Sequence, residues 1–398
     1  MALRIGSLCS GAGGLDLAAE QVFGAKTVWH CELEKITDKN GRTRRNTAID
    51  VLATHWPGVP NYGDLTTTDW ASAEPVEIMC AGWPCQPWST AGKKLGAADE
   101  RAIWPDIAAA IRVVRPRIVV LENVTDVLTR GEFTRVADSL AALGYDIRWT
   151  CLRASDVGAC HRRERIFIVG TLANADDPTG DGQWPRTQSR QGSGDVADAP
   201  GARRARFDGG PGGAPACGRR ERDATGSSWA GAGPVTSESW GCSSIPGTEQ
   251  TDGSDAGLNP ASSTLELLPT PAAADGERGP DFARADREGS GGDDLVTICA
   301  RATRNRGSNW GKYEPAIRRW EALTRTAPSP TEPNTKGKPR LNPAFSEWMM
   351  GWPAGWVTDV PGISRNDQLR IIGNGVVPQC AAAALVWLLS IPSAEVVA

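Results

Sequence analysis

This 398-residue chain contains only three histidines, His30, His55 and His161. That leaves poor ground for histidine-led metal or triad chemistry. Its ten cysteines form no Cys-x-x-Cys pair and no cysteine-histidine cluster. The spacing argues against a zinc module and a disulfide framework, and fits a reducing cytoplasm. No apolar run approaches the roughly 20 residues of a membrane span, so no membrane partner is expected. Met1-Ala2-Leu3-Arg4-Ile5 leads straight into a strand-like segment, a start that does not read as a cleaved signal peptide. The net charge of −4 does not announce a polyanionic partner. It hides segregation, however: Arg301, Arg304, Arg306, Lys312, Arg318, Arg319 and Arg325 face only Glu314 and Glu321. That excess reads either as a phosphate-neutralising patch or as a solvated helix face.

What is present suits a soluble globular protein: 40% apolar and 23% charged residues, enough chain for one large domain or two ordinary ones. Up to about residue 170, strand-like and helix-like stretches alternate. Arg4–Leu8, Thr27–Cys31, Val76–Ala81, Arg117–Leu121, Tyr145–Trp149 and Arg165–Val169 read as strands. Leu15–Val22, Trp104–Val114 and Phe133–Leu143 carry helical spacing, and Gly144 closes the last of these. Such alternation predicts a mostly parallel sheet with helices on both faces. Residues 171–260 differ, being rich in Gly, Pro, Ser, Asp and Arg without sustained period. They bury too little surface to offset chain entropy, so loop or disorder is expected there. Pattern returns at Leu265–Pro271 and Asp294–Arg301, then in a helix over Trp310–Leu323. The final helix is expected at Ala381–Leu389.

Chemistry-bearing residues collect at strand C-termini, the edge where open α/β sheets bind their ligands. Ser10-Gly11-Ala12-Gly13-Gly14 joins the first strand to the first helix, a turn that lets a ligand approach backbone closely. It departs from Gly-x-Gly-x-x-Gly, because Gly14 is followed by Leu15-Asp16. Glu32 ends the second strand, placed to accept hydrogen bonds from a ribose diol. Glu122-Asn123 follows a fully apolar strand, where a carboxylate is costly to bury and its pKa tends to rise. The alternative is an ordinary loop carboxylate. Arg163 and Arg165, in His161-Arg162-Arg163-Glu164-Arg165, would point to one side and hydrogen-bond an acceptor, or belong to a plain charged loop. Cys85 lies in Gly82-Trp83-Pro84-Cys85-Gln86-Pro87, outside any periodicity. Taken alone it is either an inert thiol or a nucleophile, and the cations Lys93, Lys94 and Arg101 after it would favour the thiolate.

Together these pieces resemble the DNA (cytosine-5)-methyltransferases, in that family's order. Ser7-Leu8-Cys9-Ser10-Gly11-Ala12-Gly13-Gly14-Leu15 is similar to the cofactor loop, Glu32 to the ribose-binding acid and Gly63-Asp64-Leu65 to the adenine-side element. Pro84-Cys85-Gln86 resembles the nucleophile motif and Glu122-Asn123-Val124 the acid motif. His161 through Arg165 is similar to Gln-x-Arg-x-Arg. Arg340-Leu341-Asn342-Pro343 through Gly351-Trp352-Pro353 resembles the motif after the recognition domain. Gly373-Asn374-Gly375-Val376-Val377-Pro378 resembles the final motif, whose helix packs beside the cofactor loop. Three departures stand out: His161 for glutamine, Arg-Leu-Asn-Pro for Arg-x-Leu-Thr-Pro, and Gly375 for a small side chain, the last expected to be mild.

The resemblance implies a Rossmann-like S-adenosylmethionine-dependent methyltransferase sheet of the α/β class, with a smaller target-recognition domain. Residues 1–170 would be the catalytic and cofactor-binding domain. Residues 171–340 would be the recognition region, with its low-complexity stretch at about 175–260, and 341–398 would return to the catalytic domain. It assigns catalysis to Cys85, Glu122, Arg163 and Arg165. Cofactor binding falls to Cys9, Gly11, Ala12, Gly13, Gly14, Glu32, Leu33, Asp64, Leu65, Pro84, Asn374 and Gly375. DNA contact falls to Gln86, Ser89, Lys93, Lys94, Arg101, Arg304 and Arg306. The implied reaction methylates carbon 5 of a flipped-out cytosine in duplex DNA through a covalent Cys85 adduct. The target base must leave the helix, at a cost of roughly a few kcal/mol, and Gln86–Arg101 is the natural lid over it. The protein is expected to be monomeric and to need no metal. A restriction endonuclease's partner, a stand-alone modifier and a phage self-protection enzyme would share this sequence pattern. A tRNA methyltransferase on the same scaffold is a rival that the large region between Gly170 and Arg340 disfavours. A catalytically dead binding protein is disfavoured by the intact Cys85, Glu122 and Arg165.

Overall fold

Two alternating apolar faces on one set of strands organise the molecule. In the computed structural model, residues 2–37, 41–83, 103–129, 131–172, 203–204, 265–285, 294–303 and 309–390 are described. The elements in chain order begin with β1 (Arg4–Leu8), α1 (Gly14–Phe23), β2 (Lys26–Cys31), β3 (Lys35–Thr37), β4 (Thr43–Arg45) and α2 (Ala48–His55). There follow β5 (Ile78–Gly82), α3 (Trp104–Val114), β6 (Ile118–Val124), α4 (Glu132–Ala142), β7 (Tyr145–Arg153), β8 (Glu164–Leu172) and β9 (Arg203–Arg204). The remainder comprises α5 (Phe282–Ala285), α6 (Leu295–Ala302), α7 (Glu314–Leu323), β10 (Thr331–Pro333), β11 (Pro339–Leu341), α8 (Pro343–Met349), α9 (Arg365–Asn374) and α10 (Pro378–Ser390). Pro84, Cys85, Gln86, Ser89, Lys93, Lys94, Arg101, Arg304 and Arg306 lie outside the described residues. So does the low-complexity stretch at 175–260, apart from β9.

The main sheet has seven strands in the order β2-β1-β5-β6-β8-β7-β9. β1, β2, β5 and β6 pair in parallel, as the strand–helix alternation predicts. β8 runs antiparallel to both β6 and β7. The link from Arg153 to Glu164 is too short to carry a crossover, which takes a dozen or more residues, so the chain must turn back. In β5, Ile78 and Cys80 belong to one apolar cluster while Met79 and Ala81 belong to the other; in β6, Ile118 and Val120 separate likewise from Val119 and Leu121. The first face is covered by α1, α2 and α10, the second by α3 and α4.

Two details depart from the sequence expectation, and a third concerns how far the core extends. β6 continues through Glu122 and Asn123 to Val124, pairing them with Phe167 and Ile166 of β8. The expected Trp310–Leu323 helix begins as a 3₁₀ turn over Gly311–Tyr313, and α7 proper starts at Glu314 with Pro315 in its first turn. Proline suits that position because it lacks the N–H a preceding turn would require. Finally, the apolar core does not break at residue 340: α6, α7 and α8 share one cluster with α10 and the first sheet face. α10 meets α1, β7 and β8, burying Cys380, Ala381, Ala384, Leu385 and Leu388.

Candidate active site

β6 carries a carboxylate at the sheet edge because its ladder extends past the apolar run. Gly82 pairs with Glu122 on one side and Phe167 with it on the other. The Arg165 guanidinium reaches across from β8, with Nε 3.0 Å from Glu122 Oε1. Gly82 leaves the space beside the carboxylate open: a Cβ there would sit 3.5 Å from Glu122 Oε2. Burial pushes the Glu122 pKa up, while the charges of Arg165 and then Arg163 pull it down. The group is thereby held nearer its protonated form than a solvated glutamate.

Arg163 approaches the same carboxylate from a strained position, with φ +27° one residue before β8. Its Nη1 donates to the Gly373 carbonyl at 3.2 Å and its Nη2 to the carbonyl of Gly375. The same residue thus braces the last motif against the Glu122 edge. Next to Glu122, the Asn123 side-chain amide donates to the Trp83 carbonyl at 3.1 Å, and the Trp83 indole donates to Glu132 Oε1 at 3.1 Å. Trp83 is the last described residue before Pro84-Cys85, so the chain leaves the sheet from a point tied directly to Glu122's neighbour.

His161 is fully buried and donates from Nε2 to the Met349 carbonyl at 2.9 Å. Burial, aided by the charge of Arg163, lowers its pKa to about 3, so the ring is neutral. The histidine in glutamine's place therefore ties the entry of β8 to the end of α8 without adding charge beside Arg163 and Arg165.

At the other end of the edge, the turn after β1 takes left-handed backbone at Cys9 (φ +50°), Gly11 (+55°) and Gly13 (+78°). At Gly11 a Cβ would meet nothing within 4 Å, so the backbone faces open space; at Gly13 it would fall 2.4 Å from the Trp56 ring. Glu32 closes the turn from β2's end: its Oε2 accepts the Gly11 N–H at 2.9 Å, and its Oε1 accepts from the Asn46 amide at 2.7 Å. Burial raises the Glu32 pKa and these two donors oppose the rise. Asn61 fixes the Glu32 backbone, accepting its N–H and donating to its carbonyl, both at 2.9 Å. Leu33 is 40% exposed beside it, an unusual apolar surface next to a carboxylate. Asp64 holds its own turn through Thr66, with N–H and hydroxyl donated to Oδ1 at 2.9 and 2.8 Å, while Leu65 is buried.

The last motif reaches this turn as well. A Cβ at Gly14 would fall 2.7 Å from the Val376 carbonyl, and one at Gly375 would fall 2.3 Å from the Trp352 ring. Trp352 thus fills the space that a side chain at position 375 would take.

Asn46 and Asn61 escaped sequence reading. Asn46 lies just ahead of α2 and could be read as a cap, but only the β3–β4 hairpin returns it to Glu32. Within the cationic run at 301–325, Arg318, Arg319 and Arg325 are held by partners in the chain itself. Arg319 donates to the carbonyls of Gly158 and Ala159, both at 3.0 Å, and Arg325 to that of Trp352 at 2.6 Å. Arg318 is paired with Glu314 and Glu321, each at 2.7 Å. Unpaired carbonyls after a tight turn outcompete a surface role for long, multi-donor side chains.

Asp16, in the first turn of α1, is fully buried. Neither oxygen has a partner with hydrogen-bond geometry, though the Ser7 hydroxyl is near enough to oppose the shift that burial imposes, to a pKa of about 7. Its folded pKa lies above the unfolded value, so the ionised form is the costly one. The cost is absent below about pH 4, grows as pH rises and is complete above about pH 7, on the order of a few kcal/mol. Asp16→Asn is therefore expected to raise the thermal midpoint by several degrees at pH 8. The gain should shrink steadily toward pH 5, as followed by calorimetry at both pH values.

A mixed sheet of this order, with a glycine turn closed by Glu32 at one end of its edge and a carboxylate–guanidinium pair at the other, has the Rossmann-like methyltransferase fold. Residues 3–209 match the C-5 cytosine-specific DNA methylase family, and the chain belongs to that family, whose members use S-adenosylmethionine. It is 33% identical over 141 residues to the type II methyltransferase M.NlaIV of Neisseria lactamica, covering 33% of each chain. It is 34% identical over 169 residues to M.HaeII of Haemophilus aegyptius, covering 42% of this chain and 49% of that one. The chain spans between a third and about half of the length of the curated relatives it matches. In fold it is similar to the Dnmt2 methyltransferase of S. pombe, with a TM-score of 0.52 at 14% identity over 97% of this chain and 98% of that one.

Proposed function

We propose that the protein transfers a methyl group from S-adenosylmethionine to carbon 5 of a cytosine flipped out of a specific duplex DNA sequence. The observation that carries this reading is the Glu122–Arg165 pair, buried at the sheet edge that also holds the glycine turn and Trp83. The family match and the type II names of the relatives support a sequence-specific DNA substrate.

The turn fits an adenosyl cofactor: Gly11 offers open backbone, Glu32 a carboxylate with lone pairs left for a diol, and Leu33 an exposed apolar side chain. Cys9, Ala12, Gly13 and Gly14 would complete the loop, with Asp64 and Leu65 on the adenine side. Pro84, Asn374 and Gly375 would line the methyl end. When bound, the cofactor supplies an electrophilic methyl group.

The chain's residues do the rest. Carbon 5 of cytosine is a poor nucleophile, and addition of the Cys85 thiolate to carbon 6 gives the ring enamine character there. Glu122 holds ring nitrogen 3 and delivers a proton to it as the sulfur–carbon bond forms. Arg165 engages the base's carbonyl oxygen and fixes Glu122, while Arg163 holds the last motif behind them. After methylation, loss of the proton at carbon 5 breaks the sulfur–carbon bond and frees Cys85. Gln86, Ser89, Lys93, Lys94 and Arg101 would contact the DNA around the extruded base, with Arg304 and Arg306 on the backbone. Residues 1–170 with 341–398 would form the catalytic domain, and recognition would fall within 171–340.

The test is to incubate the protein with duplex DNA and methyl-labelled S-adenosylmethionine, then digest to nucleosides. Label in 5-methyldeoxycytidine is expected. Label confined to N4-methyldeoxycytidine or N6-methyldeoxyadenosine would overturn the proposal.

A further inference from the structure

Four tryptophans late in the chain donate their indole N–H to backbone carbonyls. Trp320 donates to Trp348 at 2.9 Å, Trp348 to Arg325 at 2.8 Å, Trp352 to Val376 at 2.8 Å, and Trp356 to Ala12 at 2.9 Å. The last of these crosses from the segment after α8 into the glycine turn, joining residues 344 positions apart.

The Trp356 ring is itself held on three sides. It stacks on His55 with centroids 3.5 Å apart and planes 3° from parallel. His55 Nε2 also donates to the Trp356 carbonyl at 2.7 Å. The ring meets Trp56 edge-on at 5.6 Å, and Trp56 occupies the space beneath Gly13. The backbone around Trp356 is fixed by Glu347, a buried carboxylate that accepts the N–H groups of Gly355, Val357 and Thr358 at 2.8, 2.7 and 3.1 Å, and the Thr358 hydroxyl at 3.1 Å. The turn it reaches has left-handed backbone at Gly11 and Gly13, which glycine adopts freely, and at Cys9, where a side chain makes that conformation depend on surrounding contacts.

We propose that Trp356 is a positioning residue for the cofactor. Its indole N–H holds the Ala12 carbonyl, and with it the presentation of Gly11 and Gly13 to the ligand, so affinity for the cofactor depends on the segment following the recognition region. The proposal rests on the reading of the glycine turn as the S-adenosylmethionine site. A conserved ring stack without the N–H separates the two roles of Trp356, because phenylalanine keeps the contact with His55 and loses the bond to Ala12.

The experiment measures binding of S-adenosylhomocysteine by titration calorimetry to the full-length wild type, Trp356→Phe and Trp348→Phe. Amide hydrogen exchange over residues 9–14 is followed in parallel without ligand. Trp348→Phe loses an indole bond of the same kind that does not reach the turn. Trp356→Phe is expected to weaken binding by about tenfold, the loss of roughly one buried hydrogen bond, and to speed exchange over residues 9–14. Trp348→Phe should change neither. At saturating cofactor, Trp356→Phe should keep kcat within about twofold while its cofactor KM rises, the pattern of lost uniform binding. His55→Ala unseats the same ring without touching Ala12, and should weaken binding about threefold, a part of the same bond's worth. It decides the matter should Trp356→Phe not fold. Unchanged affinity and exchange in both Trp356→Phe and His55→Ala, or equal loss in Trp348→Phe, would overturn the proposal. Failure of the wild type to bind would instead overturn the cofactor reading, and the positioning role with it.

Discussion

Replacing Cys85 by alanine is expected to abolish methyl transfer to duplex DNA, a loss of at least about 10⁴-fold on the scale seen when covalent nucleophiles are removed, with cofactor binding unchanged. The reaction needs a thiolate, because only addition at carbon 6 makes carbon 5 reactive toward an electrophilic methyl. Six of the seven described cysteines are poor substitutes. Burial pushes the thiols of Cys9, Cys31, Cys80, Cys160, Cys299 and Cys380 upward, Cys31 to about 12, away from the nucleophilic form. Cys85 lies two residues after Trp83, whose carbonyl accepts from Glu122's neighbour Asn123, and is followed in sequence by Lys93, Lys94 and Arg101. Incorporation of labelled methyl groups measures the loss, and calorimetry with S-adenosylhomocysteine measures the retained binding. Turnover by the variant within tenfold of wild type would remove Cys85 from the mechanism.

The second large effect is expected at Glu122. Glu122→Gln should lower kcat by about 10² to 10⁴-fold, the usual contribution of a positioned acid, with cofactor affinity unchanged. Glutamine fills the same space opposite Gly82 and Phe167 but has no acidic proton to deliver. It also leaves the Arg165 guanidinium without its ionic partner at the sheet edge. The pH dependence carries a sign. Burial raises the Glu122 pKa, so the acid form survives to higher pH than in a solvated glutamate, and wild-type kcat should fall as pH climbs through that raised value. The residual activity of Glu122→Gln should lack this alkaline limb. Initial rates from pH 5 to 9 for both proteins test it, and an identical limb in the variant would assign the titration to another group.

The fold was largely legible because its strands are short apolar runs stopped by glycine, proline or a carboxylate. Arg4–Leu8 and Trp104–Val114 have the same bounds in sequence reading and structure. The direction of β8 was not legible, since periodicity says nothing of which way a strand runs; the short link after Arg153 decides it. Motif residues mark the ends of strands, so Glu122, Glu32 and the glycine turn could be placed on one edge from sequence alone, whereas Arg165 begins β8 and reaches that edge only because β8 runs antiparallel to β6. What completes the site comes from elsewhere in the chain. Asn46 depends on the β3–β4 hairpin, Arg163's brace on residues 373–375, and His161's role on the end of α8. The same long-range packing redirected Arg319 and Arg325. Arginine density in the sequence measures charge, whereas their partners are carbonyls exposed by turns that no local pattern announces. Gly375 depends on the same packing: the ring that leaves no room for a side chain there belongs to Trp352, in contact only in the folded chain.

The mechanism turns on a covalent bond between Cys85 and carbon 6 of a cytosine in duplex DNA. Duplex carrying 5-fluorocytosine at the target position tests it most directly, because fluorine at carbon 5 cannot leave as the proton does and the adduct cannot resolve. With S-adenosylmethionine present, the wild type should form a denaturation-resistant protein–DNA species whose digest places the modified base on the peptide containing Cys85, and Cys85→Ala should form none. Normal methylation of unmodified duplex without any such species, or a species of equal yield in Cys85→Ala, would rule out the covalent mechanism.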